Sequence, residues 1–559
     1  MGSWRIQPEP IPENLIKETY SADVIVVGLG YSGTAAFRAA TESGASVIGI
    51  TYERRREDFV AAGAEVGHIN SKLLETKGVP KVDPIDFFNE MMKRSANRGN
   101  QELVMKFSQN CGKNMDWWLD VYPLEAYKDI MVRYWDKSNK YFKELALAGK
   151  GEINGYHFWY GTLWFPYNGG NFTGHPNCNE VVLANQDKAV AMGARRFWGI
   201  EAVNIEMDGK RIGAIIGKDR EGNYYRFKSN KSVIMSTAGC EHNKEMRSDL
   251  LTVLKDLMTP DESFDGIDRP GAGFGIKAGV WAGGRTEAGS LASTLADAFF
   301  LRGLNEAFGE LWLDPYGKRF CNEILGGTEL AGMAGNQIKR GVFYNIFDEN
   351  VLDYELWSPP MHYGFDFYED EDVNALKDLI CYAKAHPEEG HCVVRNKFKL
   401  KTVSPFGTFK DLVEPVDYHK QLVYYGRTPE ELVKNSGLAE DLAKNIVESI
   451  KRYNQMCEQK RDDDFGKDSK VLKKLDGILF MEGRQKKFGG HDIGFICGGL
   501  ATDGNCNVLD EYYNPIPGLY AAGNCCGRRF GLQYTTPIAG LSLGMSIVLG
   551  REAGLSAAR

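Results

Sequence analysis

The chain has 559 residues, enough for two or three domains' worth of core, and an ordinary globular composition with 43% hydrophobic and 25% charged residues. Its formal net charge of −8 argues against non-specific nucleic-acid binding and against a polybasic membrane contact. Eleven scattered cysteines without a Cys-x-x-Cys spacing exclude zinc ribbons, thioredoxin-type motifs and attached c-type haem. With no apolar run approaching ~18 residues and no apolar signal core at the start, a cytoplasmic protein with reduced thiols and no membrane span is expected.

In chain order, the first informative element is Asp23-Val-Ile-Val-Val-Gly28-Leu-Gly30-Tyr-Ser-Gly33, which runs straight into an alanine-rich segment. This reads as a strand, a tight turn and a helix over about Ser32–Ser43, with a second parallel strand at Ala45–Ile50. The start of such a helix offers unpaired N–H groups and a partial positive charge. Glycines there let the backbone approach a pyrophosphate without an intervening Cβ. An acid normally ends the second strand and takes the adenosine ribose hydroxyls. Here Thr51 stands in that place and Glu53 follows two residues later, so both are candidate ribose contacts. The run Arg54-Arg55-Arg56 reads as a solvated turn in preference to a site for an extra 2′-phosphate.

Ile85–Arg94 and Glu102–Leu119 have the periodicity of amphipathic helices, and Glu180–Met192 is a further helix. Between them, Tyr134–Pro176 is aromatic, glycine-rich and irregular. Ala202–Met207, Arg211–Lys218 and Tyr224–Lys228 read as strands joined by turns at Asp208-Gly209 and Glu221-Gly-Asn223. A separate buried strand is expected from Ser232 to the small-residue turn at Gly239, and Gly273-Phe-Gly275 opens another helix. From about Arg285 to Lys487 the texture changes. A strand-turn-strand at Leu311–Arg319, helices at Val373–Ala385 and Thr428–Lys460, and a charged loop at Lys460–Lys474 suggest a domain inserted into the first. Gly518-Leu-Tyr-Ala-Ala-Gly523-Asn524 returns to the earlier style, and Leu541–Gly550 is a final apolar helix.

Five separated segments now agree: the nucleotide-binding strand; Gly67-His68-Ile-Asn70; Asn100-Gln-Glu-Leu-Val with Met115-Asp-Trp-Trp-Leu; Lys231 to Cys240 with Asn243-Lys-Glu-Met246; and Pro515 to Asn524. Together, from about Ala22 to Gly554, they resemble the FAD-dependent oxidoreductases of the fumarate reductase and 3-ketosteroid dehydrogenase superfamily. The resemblance implies an α/β fold. A discontinuous Rossmann-like FAD-binding domain (1–284 and 488–559) is interrupted by an α+β cap (285–487), and substrate lies between cap and flavin. It implies FAD held by Gly28, Gly30 and Gly33 at the pyrophosphate, and by Thr51 and Glu53 at the ribose. Further contacts fall to Gly67, His68, Asn70, Val203, Ala238 and Gly239, with Gly523 and Asn524 at the ribityl chain. The helix starting near Gly540, with Ser542 and Leu543 in its first turn, would aim its amides at the flavin N1/C2 carbonyl edge. Relatives that attach FAD covalently use a histidine where this chain has Ala61, so non-covalent FAD is expected. His68 reads first as a structural histidine.

For the substrate, the family's dicarboxylate pattern is broken three times. After Arg319-Phe320-Cys-Asn-Glu323, Gly327 stands where a proton-donating arginine is placed; Phe495 replaces a histidine before Cys497-Gly498-Gly499; and the late Asn-Arg-x-Gly-Gly is missing. Instead Tyr534 and the Gly540 amide fall where ketosteroid dehydrogenases bind a substrate ketone. This implies hydride transfer from flavin N5 to an activated C=C bond of an unsaturated carbonyl compound, whether ketosteroid-like or of aromatic-acid type. Tyr160, Tyr167, His157 and His175 are the candidate proton donors, and the roles of Arg528 and Arg529 stay open. Electrons would come from a diffusible donor or a partner protein. The reverse dehydrogenation, fumarate reductase-like activity and a flavin electron-transfer subunit remain as alternatives.

Overall fold

The computed structural model describes residues 3–61, 63, 65–132, 135, 152–165, 176–252, 268–269, 271–295, 310–323, 342–351, 370–395, 403–404, 407–408, 420–485, 493–532 and 534–559. Its centre is an eight-stranded mixed sheet. The strand Ile16–Val27 lies between Val47–Ile50 and Tyr224–Met235 and is parallel to both. Arg195–Phe197 extends the sheet on one side in parallel. On the other side Pro515–Ala521 adds in parallel and Asn507–Leu509 antiparallel. Glu201–Asp208 and Arg211–Lys218 form an antiparallel meander attached to Tyr224–Met235. Val24 to Val27 are all buried, as expected for a strand covered on both faces.

The helix Tyr31–Glu42 follows the first strand, as the glycine motif predicts. It packs against the C-terminal helix Leu541–Ala558, which runs eight residues past its predicted end. The two backbones meet closely: a Cβ on Gly550 would lie 2.2 Å from the Ser32 carbonyl. The C-terminal helix thereby ends up beside the glycine turn, although more than 500 residues of chain separate the two.

Three other expectations are corrected. The first strand starts at Ile16, because its polar half pairs with Tyr224–Ser229. The strands expected at Tyr224–Lys228 and from Ser232 are one strand, Tyr224–Met235, since its first half also pairs with Arg211–Lys218. The helix expected over Thr428–Lys460 is two, Pro429–Ser436 and Glu440–Gln459. Gly437 breaks it by adopting a left-handed φ of 64° as the C-cap of the first.

A second, five-stranded antiparallel sheet is built wholly between residues 311 and 485, in the order Leu311–Leu313, Val342–Asp348, Leu479–Gln485, Lys420–Gly426, His391–Arg395. It shares no strand with the first. Leu376, Leu379, Ile380 and Ala383 of helix Asp370–Ala385 pack on one face against Phe347, Val423, Tyr425 and Phe480. The helices Pro429–Ser436 and Glu440–Gln459 cover the other face against Leu311, Leu313, Tyr344, Ile346 and Met481. By contrast, Arg285, Glu287 and Leu291 donate backbone hydrogen bonds to Leu509, Gly499 and Leu250 of the first unit. Among the described residues no helix is long and apolar enough to cross a membrane.

Candidate active site

At the nucleotide end, each glycine of the motif has its own physical reason. Gly28 turns the chain with φ 88°, and a Cβ there would lie 2.6 Å from the Ser236 carbonyl oxygen. At Gly33 a Cβ would be 1.8 Å from the Gly28 carbonyl, so helix and turn touch backbone to backbone. Gly30, the helix N-cap, has nothing within 4 Å of where its Cβ would be and is exposed. That open face above a helix N-terminus fits a pyrophosphate. Ser236 braces the turn by donating to the Val27 and Gly28 carbonyls, each at 2.8 Å.

The late acid reaches back. Thr51 is buried at the end of its strand, and its hydroxyl donates to the Glu53 carboxylate. Ile200 donates to the Thr51 carbonyl, which brings the start of the Glu201–Asp208 strand, with Val203, to this end of the site. Arg55 lies near Asp58 and Arg56 pairs with Asp187 at 2.7 Å, both at the surface, as a solvated turn requires. Ala61 is buried, its amide donating to Asn179. Ala238, at φ 64°, and Gly239 form the turn after the Tyr224–Met235 strand, where Cys525 donates to the Ala238 carbonyl at 3.2 Å.

The other end gathers segments from across the chain around the N-terminus of the C-terminal helix. Gly540, at φ 74°, caps that helix without a side chain, and Gly67 donates to its carbonyl at 2.9 Å. The Thr162 hydroxyl donates to Ala539 O at 2.8 Å, and His68 N donates to Gly161 O. The Tyr534 hydroxyl accepts the Ser542 amide at 3.1 Å, which places the phenol at the first turn of the helix, two residues from Gly540. Asn524 receives Arg529 at 2.6 Å and the Ser542 hydroxyl at 3.4 Å on its side-chain oxygen. Leu543 lies against Gly63, and Gly523, at φ 62°, against Ser32, where a Cβ would be 2.4 Å from the Ser32 hydroxyl.

Several candidates have side chains committed elsewhere. His68 is fully buried, with Nε2 on Ser71 at 2.7 Å and Nδ1 on the Val66 carbonyl at 3.3 Å. Burial holds it neutral, its pKa down at about 4. Its imidazole is thus committed to Ser71 and Val66. The Asn70 amide pairs both ways with the Val82 backbone, bracing a left-handed φ of 61°. Tyr534 itself is 2% exposed and packs edge-on to Phe530. Tyr160 is buried against Trp135, and His157 stacks on Trp159 with Nε2 3.1 Å from Glu152. Tyr167, His175 and Gly327 lie outside the described residues.

Two buried charges escaped the sequence reading. Glu287 accepts the Gly499 amide at 3.1 Å and the Arg528 amide at 2.9 Å, tying together the two turns behind Asn524. Burial pushes its carboxyl up to about 7, although those amides and the Arg529 charge oppose the shift. Arg94 pairs with Glu90 at 2.7 Å and donates to His157 O and Thr536 O, locking the aromatic segment to the Tyr534–Gly540 turn. Neither stands in a motif; each looks like a surface charge until the fold buries it.

A family model described as FAD binding domain matches residues 23–543. The chain belongs to this FAD-binding family. It is an FAD-dependent oxidoreductase acting on CH–CH bonds, and the open Gly30 cradle agrees with the cofactor. The family member vinyl phenol reductase of Lactiplantibacillus plantarum is 24% identical, the match covering 96% of this chain and 97% of that protein. Fumarate reductase (cytochrome) of Shewanella frigidimarina is 23% identical over 96% of this chain and 77% of that protein. In fold, the chain is like the 3-ketosteroid-Δ4-(5α)-dehydrogenase of Rhodococcus jostii RHA1, with a TM-score of 0.63 at 19% identity, covering 99% of this chain and all of that one.

Proposed function

We propose that this enzyme reduces a carbon–carbon double bond conjugated to a carbonyl or phenolic oxygen, and that Tyr534 and the Gly540 amide hold that oxygen. The observation that carries the reading is the hydrogen bond from Ser542 N to the Tyr534 hydroxyl. A bond accepted from a helix N-terminus polarises the phenol and makes it a stronger hydrogen-bond donor toward a developing enolate. Bound FAD supplies the hydride. Tyr534 and the helix amides stabilise negative charge on the substrate oxygen, and the buried surroundings strengthen that interaction. Phe495, about 38% exposed where fumarate chemistry would place a cation, argues for an aromatic or apolar substrate over a dianion. The relative described as a vinyl phenol reductase supports a vinyl phenol framework as one candidate acceptor.

The five-stranded unit, whose strands lie between residues 311 and 485, serves as the lid. The loop after helix Glu440–Gln459 supports this, since Asp468 and Gly466 hold Asn154 of the aromatic, glycine-rich segment. Closure would exclude water from hydride transfer. A diffusible or protein donor supplies electrons, and the enzyme works in the cytoplasm. The test is anaerobic: photoreduce the holoenzyme and follow its reoxidation by enones, para-hydroxystyrenes, cinnamates and fumarate. Rapid reoxidation by a conjugated, non-dicarboxylate acceptor is expected. A preference for fumarate, or inertness to all of them, contradicts the reading.

A further inference from the structure

Arg529 is fully buried. Its guanidinium donates to the carbonyls of Cys526 and Cys497 (both 3.2 Å) and Ser542 (3.3 Å), and to the Asn524 side-chain oxygen at 2.6 Å. Among the described residues no carboxylate lies within ion-pair distance of it; Glu287, held by the Gly499 and Arg528 amides, is close enough only to feel its charge. A buried guanidinium with only neutral acceptors is expensive to maintain. An arginine has no acceptor, so its bond to Asn524 fixes the amide with its oxygen inward and its two N–H donors turned away from Arg529. Those donors and the N-terminus of the Leu541–Ala558 helix then add to one region of positive potential.

We propose that Arg529 is a positioning residue that raises the reduction potential of the bound flavin. It orients Asn524 as a donor and supplies the charge behind the helix N-terminus, where the pyrimidine edge of the ring becomes negative on reduction. The idea rests on that ring placement and is independent of the substrate. A mere brace for the loop through Cys497 and Cys526 would need the shape of arginine, not its charge.

The test uses FAD-loaded Arg529→Gln, Arg529→Lys and Asn524→Leu. Two quantities are read: the midpoint potential by dye equilibration, and the affinity for sulfite. Sulfite adds its sulfur lone pair to oxidised flavin and leaves the negative charge on the pyrimidine side, with no net electron transfer to a third species. Arg529→Gln should weaken sulfite binding at least tenfold and shift the two-electron equilibrium toward oxidised flavin at least tenfold, about 30 mV. Arg529→Lys should recover most of both. Arg529→Gln with both quantities within twofold of wild type overturns the proposal, as does Arg529→Lys failing equally. If only Asn524→Leu changes the two readouts, the ring placement stands and the role of Arg529 is wrong; if no variant changes them, the placement is wrong as well. Should Arg529→Gln not fold, Arg529→Lys and Asn524→Leu decide: wild-type sulfite affinity in Asn524→Leu overturns the proposal.

Discussion

The two ends of the proposed flavin site are built on different principles. The nucleotide end is made of backbone: a strand, a left-handed turn and a helix start within Val24–Gly33, with side chains absent where the ligand must come close. The ring end is made of a network. Segments around Gly67, Gly161, Glu287, Gly499, Asn524 and Tyr534 are held by buried bonds among Arg94, Glu287, Arg529 and the C-terminal helix. A backbone site fails by steric exclusion, all at once. A networked site degrades by charge and hydrogen bond, one group at a time.

Paired substitutions should expose that difference most strongly at the glycines. Gly33→Ala drives a methyl into the Gly28 carbonyl and should yield little folded protein. Gly30→Ala meets no protein atom, so it should fold normally and lose FAD affinity by roughly 100-fold or more through contact with the ligand alone. Thermal unfolding beside FAD titration checks both. Equal behaviour of the two variants would erase the distinction.

A network outside the flavin site gives a reference for what buried charges are worth. Within the second unit, Arg319 bonds Glu323 at 2.9 Å and Asp462 at 2.8 Å, and Lys467 lies 3.3 Å from Glu323, all four side chains buried. Lys467 and Arg319 hold the Glu323 carboxyl below its usual range despite its burial. Removing one partner of such a set costs about 3–5 kcal/mol, so Glu323→Gln should lower the unfolding free energy by about that much, read as a lower denaturant midpoint at unchanged slope.

Glu287 should reveal itself through pH. Its carboxyl is raised from 4.5 to about 7 by burial, so the folded protein holds a proton that the unfolded chain has released across that interval. The resulting stabilisation is complete below about 4.5 and is lost as pH rises through about 7. Glu287→Gln should flatten that fall in the melting temperature between these values, at the price of one backbone hydrogen bond.

The same contrast explains what the sequence disclosed. Gly28, Gly30 and Gly33 were legible because their chemistry is local, each neighbour being fixed by the strand and helix on either side. Gly437 could have been read too, as a glycine inside an otherwise helical run. The family pattern pointed to Tyr534, Gly540 and Asn524, which the fold gathers at the start of the C-terminal helix. It could not say that His68 would spend both nitrogens on Ser71 and Val66, or that Tyr534 would lie buried. Glu287 and Arg94 owe their roles to burial by segments distant in sequence, which no local pattern records.

The most direct test of the central claim is the single-turnover rate at which reduced wild-type and Tyr534→Phe enzymes are reoxidised by a conjugated enone or para-hydroxystyrene, with FAD content measured in parallel. Loss of a phenol donor to a developing enolate should slow the step ~100- to 1000-fold, about 2.7–4 kcal/mol, with FAD content unchanged. An unchanged rate in Tyr534→Phe would contradict the account.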